Sequence, residues 1–185
     1  MESNKAAWEY LSTEPLLDLR LFEARAEQVR NPVNGKTVQV YILSGQDSVN
    51  MLALTPDRQV VLAENYRFGT REYLMELPGG MVDAGEDPLS AARRELLEET
   101  GYVADRWVYL GAVASNPVFM DSYIHHYLAY DAVPVQGQTL DDAEDIRVRT
   151  LPLSEVRRML LAGAFQHPHT VSGVLRALVA LEDIR

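Results

Sequence analysis

The alternation of hydrophobic and polar positions predicts a run of strands around one central helix, followed by two closing helices. Leu17, Leu19 and Leu21 alternate with polar residues, which is typical of a strand. Asn34-Gly35 is a strong hairpin-turn signal after it. Further strands are expected at 37–43, 49–54, 59–66, 73–77, 107–114, 123–130 and 146–151, and helices at 87–100, 153–162 and 170–181.

This order of elements indicates a mixed-sheet α/β or α+β sandwich, in which helices cover the sheet. The chain has 185 residues, 47% of them hydrophobic, so we expect essentially one domain with a sizeable core. Residues 5–11 are expected to form a short helix or a disordered lead-in. A β-hairpin extension over residues 1–44 would then precede a main domain at 45–185.

Composition narrows the classes of partner. The formal net charge of −10 disfavours binding to nucleic acid or to an anionic membrane surface. The absence of cysteine excludes disulfides and zinc–thiolate sites. We find neither a signal-peptide pattern at the start of the sequence nor an apolar run of about 20 residues, so we expect a soluble cytoplasmic protein.

The stretch from Gly80 to Tyr102 crowds acidic side chains together. It contains Asp83, Glu86, Glu95, Glu98 and Glu99. Like charges one helical turn apart destabilise a helix by roughly 0.2–0.5 kcal/mol per pair, so a compensating cation is expected. A hard divalent cation with oxygen ligands is the natural candidate.

A helical projection assigns different roles to the residues of this stretch. Glu95 and Glu99 lie one turn apart and should face a cleft together, and Glu98 lies over Arg94. The arc expected to face the sheet carries Leu89, Ala92 and Leu96. Pro78-Gly79-Gly80 permits a close backbone approach, so a carbonyl there is a further candidate ligand. The alternatives are a solvated acidic helix face and a calcium-storage site, although the spacing is not that of an EF-hand.

The same residues resemble the Nudix box, G-x5-E-x7-R-E-U-x-E-E-x-G-U, where U is a bulky aliphatic residue. Gly80, Glu86 and the run from Arg94 to Gly101 match it, and Tyr102 departs at the last position. The resemblance implies an α/β/α sandwich and hydrolysis of a nucleoside diphosphate derivative with Mg²⁺, for which Mn²⁺ is a candidate substitute. It also implies metal ligands at Gly79, Glu86, Glu95, Glu98 and Glu99, with Arg94 orienting the glutamates.

Residues outside the box resemble the ADP-ribose and nucleoside diphosphate-sugar pyrophosphatase branch. The segments that carry this resemblance are Asn65-Tyr66-Arg67, Glu76 to Gly80, Pro117 and Glu144 to Val148. The branch implies cleavage of ADP-ribose to AMP and ribose 5-phosphate in a homodimer that exchanges its N-terminal segment. GDP-mannose and other nucleotide sugars remain alternative substrates. Glu144 on the acidic loop is the expected catalytic base, with Glu98 as its rival.

The residues expected to bind the substrate are less clearly defined than those expected to bind the metal. Arg67 either clamps a phosphate or forms a surface ion pair with Glu64 or Glu76. The full set of substrate-binding candidates is Tyr66, Arg67, Glu76, Pro117, Phe119 and Tyr123. Two other readings stay open: a ligand sensor of the same fold that turns nothing over, and a purely structural dimerisation domain.

Overall fold

A computed structural model describes residues 7–141 and 143–181 of the chain. The chain divides into two compact units. The first comprises residues 1–46 together with 114–123, and the second comprises 47–113 and 124–185. The first unit therefore includes a segment from the middle of the sequence in addition to the expected N-terminal extension.

The first unit contains an antiparallel three-stranded sheet in the order β1-β2-β3. Its strands are β1 (Glu9–Asp18), β2 (Phe22–Arg30) and β3 (Thr37–Gly45). The turn at Asn34-Gly35 is confirmed, with Gly35 at φ 69° and its amide donating to the Asn31 carbonyl. All residues of β1 are exposed, so this strand contributes little to a core within the chain.

Two expectations for this unit are wrong. The described part of 5–11 extends into strand β1 from Glu9 onward, instead of forming a helix or a disordered lead-in. The alternating leucines do not form one strand, because the chain turns between β1 and β2. Arg20 lies at the turn with φ 67°, and its amide donates to Asp18 Oδ1 at 2.8 Å. The side chain of Asp18 thus stabilises a turn that lacks glycine.

The second unit is built on a six-stranded mixed sheet, in which β4 pairs with β9 in parallel and with β5 antiparallel. The strands run in the order β11-β5-β4-β9-β8. Strand β6 pairs with the later part of β5, beyond the part that pairs with β4. Their bounds are β4 (Ser48–Leu54), β5 (Gln59–Arg67), β6 (Glu72–Glu76), β8 (Arg106–Ala114), β9 (Tyr123–Tyr130) and β11 (Ile146–Pro152). A separate two-stranded sheet, not expected from the sequence, pairs β7 (Tyr102–Val103) with β10 (Val133–Pro134).

Helices cover both faces of this sheet. Their bounds are α1 (Pro88–Thr100), α2 (Leu153–Leu161) and α3 (Pro168–Ala180). Side chains of β4 alternate between the two layers: Met51 packs with Leu96 of α1, and Leu52 packs with Val174 of α3. Each fully buried aliphatic side chain contributes roughly 1.5–3 kcal/mol of hydrophobic stabilisation. The expected helix–sheet–helix sandwich is confirmed.

Local sequence signals explain the bounds of α1. Asp87 caps its first turn by accepting hydrogen bonds from the amides of Leu89 and Ser90, and Pro88 occupies the first turn. Gly101 ends the helix at φ 75°, where a Cβ atom would lie 2.2 Å from the Gln136 carbonyl oxygen. Helix α3 starts two residues earlier than expected, at Pro168. Over the described ranges, no helix is long and apolar enough to span a membrane.

Candidate active site

Helix α1 presents two buried carboxylates on one side. Leu96 and Ala92 are fully buried in the core, and this packing fixes the rotation of the helix. Glu95 and Glu99, one turn apart, are consequently held at 8% and 4% exposure. The side chain of Glu98 is 42% exposed. The helical projection therefore placed these three glutamates correctly.

Arg94 links the glutamates of this site. Its guanidinium contacts Glu86 through Nε at 3.2 Å and Nη2 at 2.9 Å. Its Nη1 donates to Glu95 Oε1 at 2.8 Å and to Glu98 Oε2 at 3.2 Å. Nη2 also donates to the Met81 carbonyl at 3.0 Å. These hydrogen bonds raise the pKa of Arg94 and lower that of Glu86, whose main partner is Arg94.

The expected ion pair of Arg94 with Glu98 is present, and the arginine does more than that. One guanidinium holds carboxylates from the helix and from the preceding loop, because Glu86 lies within its reach. Charge-assisted hydrogen bonds of this kind fix orientation as well as contributing energy. Arg94 is therefore the group that sets the relative positions of Glu86, Glu95 and Glu98.

Glu99 is held by a different element. Its Oε2 accepts a hydrogen bond from the Gly79 amide at 2.8 Å. Burial raises the pKa of Glu99 to about 8, against the lowering effect of that amide, and the charges of Glu95 and Glu144 add to the rise. Burial is also the main cause of the raised pKa of Glu95. Both carboxylates are thus desolvated and would be stabilised in their ionised form by a nearby cation.

The glycine segment, Pro78-Gly79-Gly80, is hydrogen-bonded along strand β4. The amide of Met51 donates to the Pro78 carbonyl at 3.1 Å, and that of Val49 donates to the Gly80 carbonyl at 2.9 Å. A Cβ atom on Gly79 would lie 2.1 Å from the Val49 carbonyl oxygen. A Cβ atom on Gly80 would lie 2.4 Å from the Glu95 carboxyl carbon. Gly79 is therefore required by its close approach to backbone, whereas a side chain at position 80 would displace the Glu95 carboxylate.

The donor set fits a hard divalent cation. Carboxylate and carbonyl oxygens are the ligands such cations prefer, and this site combines four glutamates with the backbone of the glycine segment. Within the ranges 7–141 and 143–181, no three acidic or histidine side chains form a ready-made metal cage. The hydrogen bonds of Glu86, Glu95 and Glu98 to Arg94 explain this arrangement, because they direct the oxygens toward the guanidinium.

The acidic loop between β10 and β11 lies against the end of α1. The amide of Thr139 donates to the Glu98 carbonyl at 2.8 Å. Gln138, which the sequence analysis overlooked, donates from Nε2 to the Glu99 carbonyl at 2.7 Å and to the Ile146 carbonyl at 3.1 Å. The loop is thus anchored at the helix end that carries two of the candidate ligands.

Glu144 lies farther along this loop, and its charge acts on carboxylates of the same site. Its charge contributes to the raised pKa values of Glu95 and Glu99. Its Oε2 accepts a hydrogen bond from the Asp141 amide at 2.9 Å, which closes a short turn. Asp142, part of the acidic run noted in the sequence, lies outside the described residues.

Of the substrate-side candidates, Arg67 and Glu76 form a bidentate ion pair. Arg67 Nε lies 2.8 Å from Glu76 Oε1, and Nη2 lies 2.6 Å from Oε2. The ion-pair alternative for Arg67 is thus the arrangement found, with Glu76 as its partner. Tyr66 packs edge-on against Phe68 and Tyr73, at ring-centroid distances of 5.5 and 5.2 Å.

The remaining substrate-side candidates belong to the first unit. Phe119 and Tyr123 are 40% and 50% exposed, and Pro117 is also exposed. The backbone carbonyl of Phe119 accepts a hydrogen bond from the Leu43 amide at 2.8 Å. Tyr66, Arg67 and Glu76, in contrast, belong to the second unit.

A buried polar group centred on His126 lies between strand β4 and helix α3. His126 is fully buried, with Nδ1 at 2.5 Å from Asn50 Oδ1 and Nε2 at 2.9 Å from Ser172 Oγ. Burial, assisted by the positive charge of Arg176, lowers the pKa of His126 to about 4. Gly173 allows this approach, because a Cβ there would lie 2.9 Å from Asn50 Oδ1. His126 is therefore neutral and part of the packing of α3.

Comparisons with known proteins agree with this geometry. The NUDIX domain family matches residues 45–172. An ADP-ribose pyrophosphatase of Mycobacterium tuberculosis (strain ATCC 25618 / H37Rv) is 31% identical over 91% of this chain and 82% of its own length. A methanol dehydrogenase activator of Bacillus methanolicus is 30% identical over 89% of each chain.

A solved structure described as an ADP compounds hydrolase has the same fold. It superimposes with a TM-score of 0.86 over 98% of each chain, at 23% sequence identity. The family match covers the carboxylates, the glycine segment and the acidic loop described above. The chain therefore belongs to the Nudix family.

Proposed function

We propose that this Nudix hydrolase cleaves the diphosphate bond of ADP-ribose, giving AMP and ribose 5-phosphate, and that it requires Mg²⁺. The observation that carries the proposal is the group of four glutamates beside the glycine segment, three of them bound by Arg94 and the fourth, Glu99, by the Gly79 amide. The substrate is supported by relatives named for ADP-ribose hydrolysis, including one of Bacillus subtilis (strain 168) that is 28% identical over 81% of each chain.

Glu95 and Glu99, with Glu86, Glu98 and the backbone of Gly79, would hold the divalent cation. The burial of Glu95 and Glu99 and the oxygen chemistry of the whole set support this assignment. When bound, Mg²⁺, or Mn²⁺ in its place, supplies positive charge that neutralises the diphosphate and makes phosphorus a better electrophile. Arg94 binds three of these carboxylates at once, which keeps the proposed ligands close to one another before a cation binds.

Glu144 is the proposed general base, with Glu98 as the alternative. The Glu144 carboxylate takes a proton from the attacking water, whose oxygen forms a bond to one phosphorus as the bridging P–O bond breaks. The leaving phosphate retains the bridging oxygen and the electron pair of that bond. The electrostatic effect of Glu144 on Glu95 and Glu99 supports its place near the reacting diphosphate.

The substrate-binding residues are proposals of the same kind. Arg67, already ionised and oriented by Glu76, can offer its remaining donors to a phosphate oxygen. Tyr66, which directly precedes Arg67 in the sequence, offers an aromatic ring to the substrate. The first unit contributes the other aromatic and proline candidates, which are Pro117, Phe119 and Tyr123.

We further propose a homodimer assembled through residues 1–44, with 45–185 as the hydrolase domain. Support comes from β1 and its flanking turn, which expose large apolar side chains that a partner subunit would cover. The most exposed of these are Tyr10, Leu16, Leu17, Leu19 and Leu21. A cytoplasmic location, expected from the sequence, is also part of the proposal, and cell fractionation would test it.

A substrate panel tests the function. The protein is incubated with Mg²⁺ and ADP-ribose, GDP-mannose, other nucleotide sugars, dinucleoside polyphosphates and nucleoside triphosphates, and the products are separated by chromatography. We expect ADP-ribose to give AMP and ribose 5-phosphate, and a chelator to abolish turnover. Preference for GDP-mannose would replace the substrate. Tight binding of a nucleotide sugar without turnover would support a ligand sensor instead.

A further inference from the structure

Tyr73 reaches across the sheet to the acidic loop. It lies on β6 opposite Tyr66 of β5. The Tyr66 amide donates a hydrogen bond to the Asp145 carbonyl at 3.4 Å. Tyr73, Tyr66 and Asp145 therefore form one row across three adjacent segments. Within this row the Tyr73 hydroxyl donates a hydrogen bond to the Asp145 carboxylate.

The direction of the Tyr73 side chain is fixed by its neighbours. Its ring packs edge-on against Tyr66, with centroids 5.2 Å apart. The guanidinium carbon of Arg147 lies 4.3 Å from the centre of the Tyr73 ring. The carboxylate of Asp145 raises the pKa of Tyr73, so the hydroxyl keeps its proton as a donor. Aromatic and cationic contacts thus aim one hydroxyl at one carboxylate.

Asp145 is the residue at which the acidic loop enters β11, and Glu144 directly precedes it. The other part of the loop is already attached to α1, through Thr139 and Gln138. Between these two attachments lies the short turn closed by Asp141 and Glu144. The position of the Glu144 carboxylate therefore depends on an anchor on each side of it.

We propose that Tyr73 is a positioning residue for Glu144: by holding Asp145, its hydroxyl fixes where the proposed general base stands relative to Glu95 and Glu99. This inference rests on the proposed function, because it assigns a role through the base. Displacement of a reacting group by about 1 Å can cost up to roughly 100-fold in rate, so loosening the contact between Tyr73 and Asp145 should lower turnover measurably.

The first test compares Tyr73→Phe with wild type, using ADP-ribose and Mg²⁺. This variant keeps the ring and its contacts and removes only the hydroxyl. We expect kcat to fall about 10-fold with little change in KM. Asp145→Asn, which retains an acceptor oxygen, should keep most of the activity, and Asp145→Ala should resemble Tyr73→Phe. Tyr130→Phe, a tyrosine packed on Arg106 instead, is the matched control and should match wild type.

A double-mutant cycle identifies the residue through which Tyr73 acts. In a Glu144→Gln background, Tyr73→Phe should cause no further loss of kcat, because the group it positions is gone. An equal 10-fold loss in that background would overturn the proposal. Wild-type turnover by Glu144→Gln alone would overturn the assignment of the base, whereas impaired Glu144→Gln with normal Tyr73→Phe would overturn only the role of Tyr73.

Hydrogen exchange gives a readout that does not depend on activity. Backbone amides of 141–146 should exchange faster in Tyr73→Phe than in wild type, with exchange in α1 unchanged. Unchanged exchange in this segment would overturn the anchoring role, even if the variant were slower. A wild-type protein inert toward every substrate, combined with faster loop exchange in the variant, would refute the proposed function while supporting the anchor.

Discussion

Glu99 of helix α1 accepts a hydrogen bond at 2.8 Å from the backbone amide of Gly79, a residue twenty positions earlier in the chain. A buried carboxylate with one amide partner is incompletely compensated, which is why burial raises its pKa to about 8. The site thus keeps a carboxylate where the fold alone would favour a neutral group. We take this as the cost of holding a cation.

The variant Glu99→Gln separates the stability cost of the buried charge from its contribution to activity. The amide can still accept the Gly79 hydrogen bond but carries no charge, so we expect kcat/KM to fall by roughly 100-fold or more. The melting temperature of the metal-free protein should be unchanged or higher, because no charge is buried. Enzyme kinetics and thermal denaturation measure the two effects. Glu72→Gln, at an exposed glutamate, is the control, and parallel loss of stability and activity would contradict this account.

Arg94→Met should make the site depend more strongly on added cation. Without the guanidinium, Glu86, Glu95 and Glu98 repel one another, so the metal-free variant should lose on the order of 1–3 kcal/mol of unfolding free energy. Mg²⁺ should then raise its melting temperature by more than it raises that of wild type. Differential scanning fluorimetry across a Mg²⁺ titration makes the comparison. Equal Mg²⁺ shifts in both proteins would show that the cation does not bind these carboxylates.

Gly80→Ala should impair catalysis while the protein stays folded. The new Cβ would lie 2.4 Å from the Glu95 carboxyl carbon, so the carboxylate must move. We expect kcat to drop about 10–100-fold, as for other changes that misplace a metal-site residue. Gly69→Ala is the matched control, since no atom lies within 4 Å of its Cβ position. Circular dichroism would confirm folding in both, and full activity of Gly80→Ala would refute the close-contact argument.

The buried histidine predicts how stability depends on pH. His126 has a pKa lowered to about 4 in the folded chain, whereas an unfolded histidine titrates near 6.5. Between these values the unfolded chain binds a proton that the folded chain does not, so stability falls as pH drops through this window. At about pH 5 the loss from His126 is on the order of 2 kcal/mol relative to neutral pH.

Urea denaturation of wild type and His126→Gln at several pH values checks this. The variant should be less stable at neutral pH but should show a shallower decline in unfolding free energy toward pH 5 than wild type. His125→Gln, on the same strand, serves as the control. Parallel pH profiles for wild type and His126→Gln would exclude His126 as the titrating group.

The exposed apolar strand predicts self-association. Leu17→Glu combined with Tyr10→Glu should convert a dimer into a monomer, because each charge would be buried at the proposed interface. Sedimentation velocity measures the change. Val179→Glu, at an apolar residue of α3 that is 55% exposed, should leave the oligomeric state unchanged. A wild-type monomer at micromolar concentration would refute the dimer.

The parts of the fold predicted from sequence are those with local signals. The caps Asp87 and Gly101 lie within a residue of the ends of α1, and helical spacing alone places Glu95 and Glu99 together. The turn at Arg20 was missed, because it depends on a side-chain hydrogen bond and contains no glycine or proline. Contacts between distant segments carry no local pattern, which explains why Gln138 and the pairing of Tyr73 with Asp145 emerged only from the structure.

The hydrogen bonding of the glycine segment to β4 links activity to strand pairing. The amides of Val49 and Met51 hold this segment, and Met51 also packs in the α1 layer. A slip of β4 by one residue would reverse its two faces and remove both amides from the glycine segment. Molecules with such a pairing error would be inactive as well as poorly packed. The specific activity of a preparation should therefore report the fraction of molecules in which β4 has paired in register. It can serve as an assay of refolding quality.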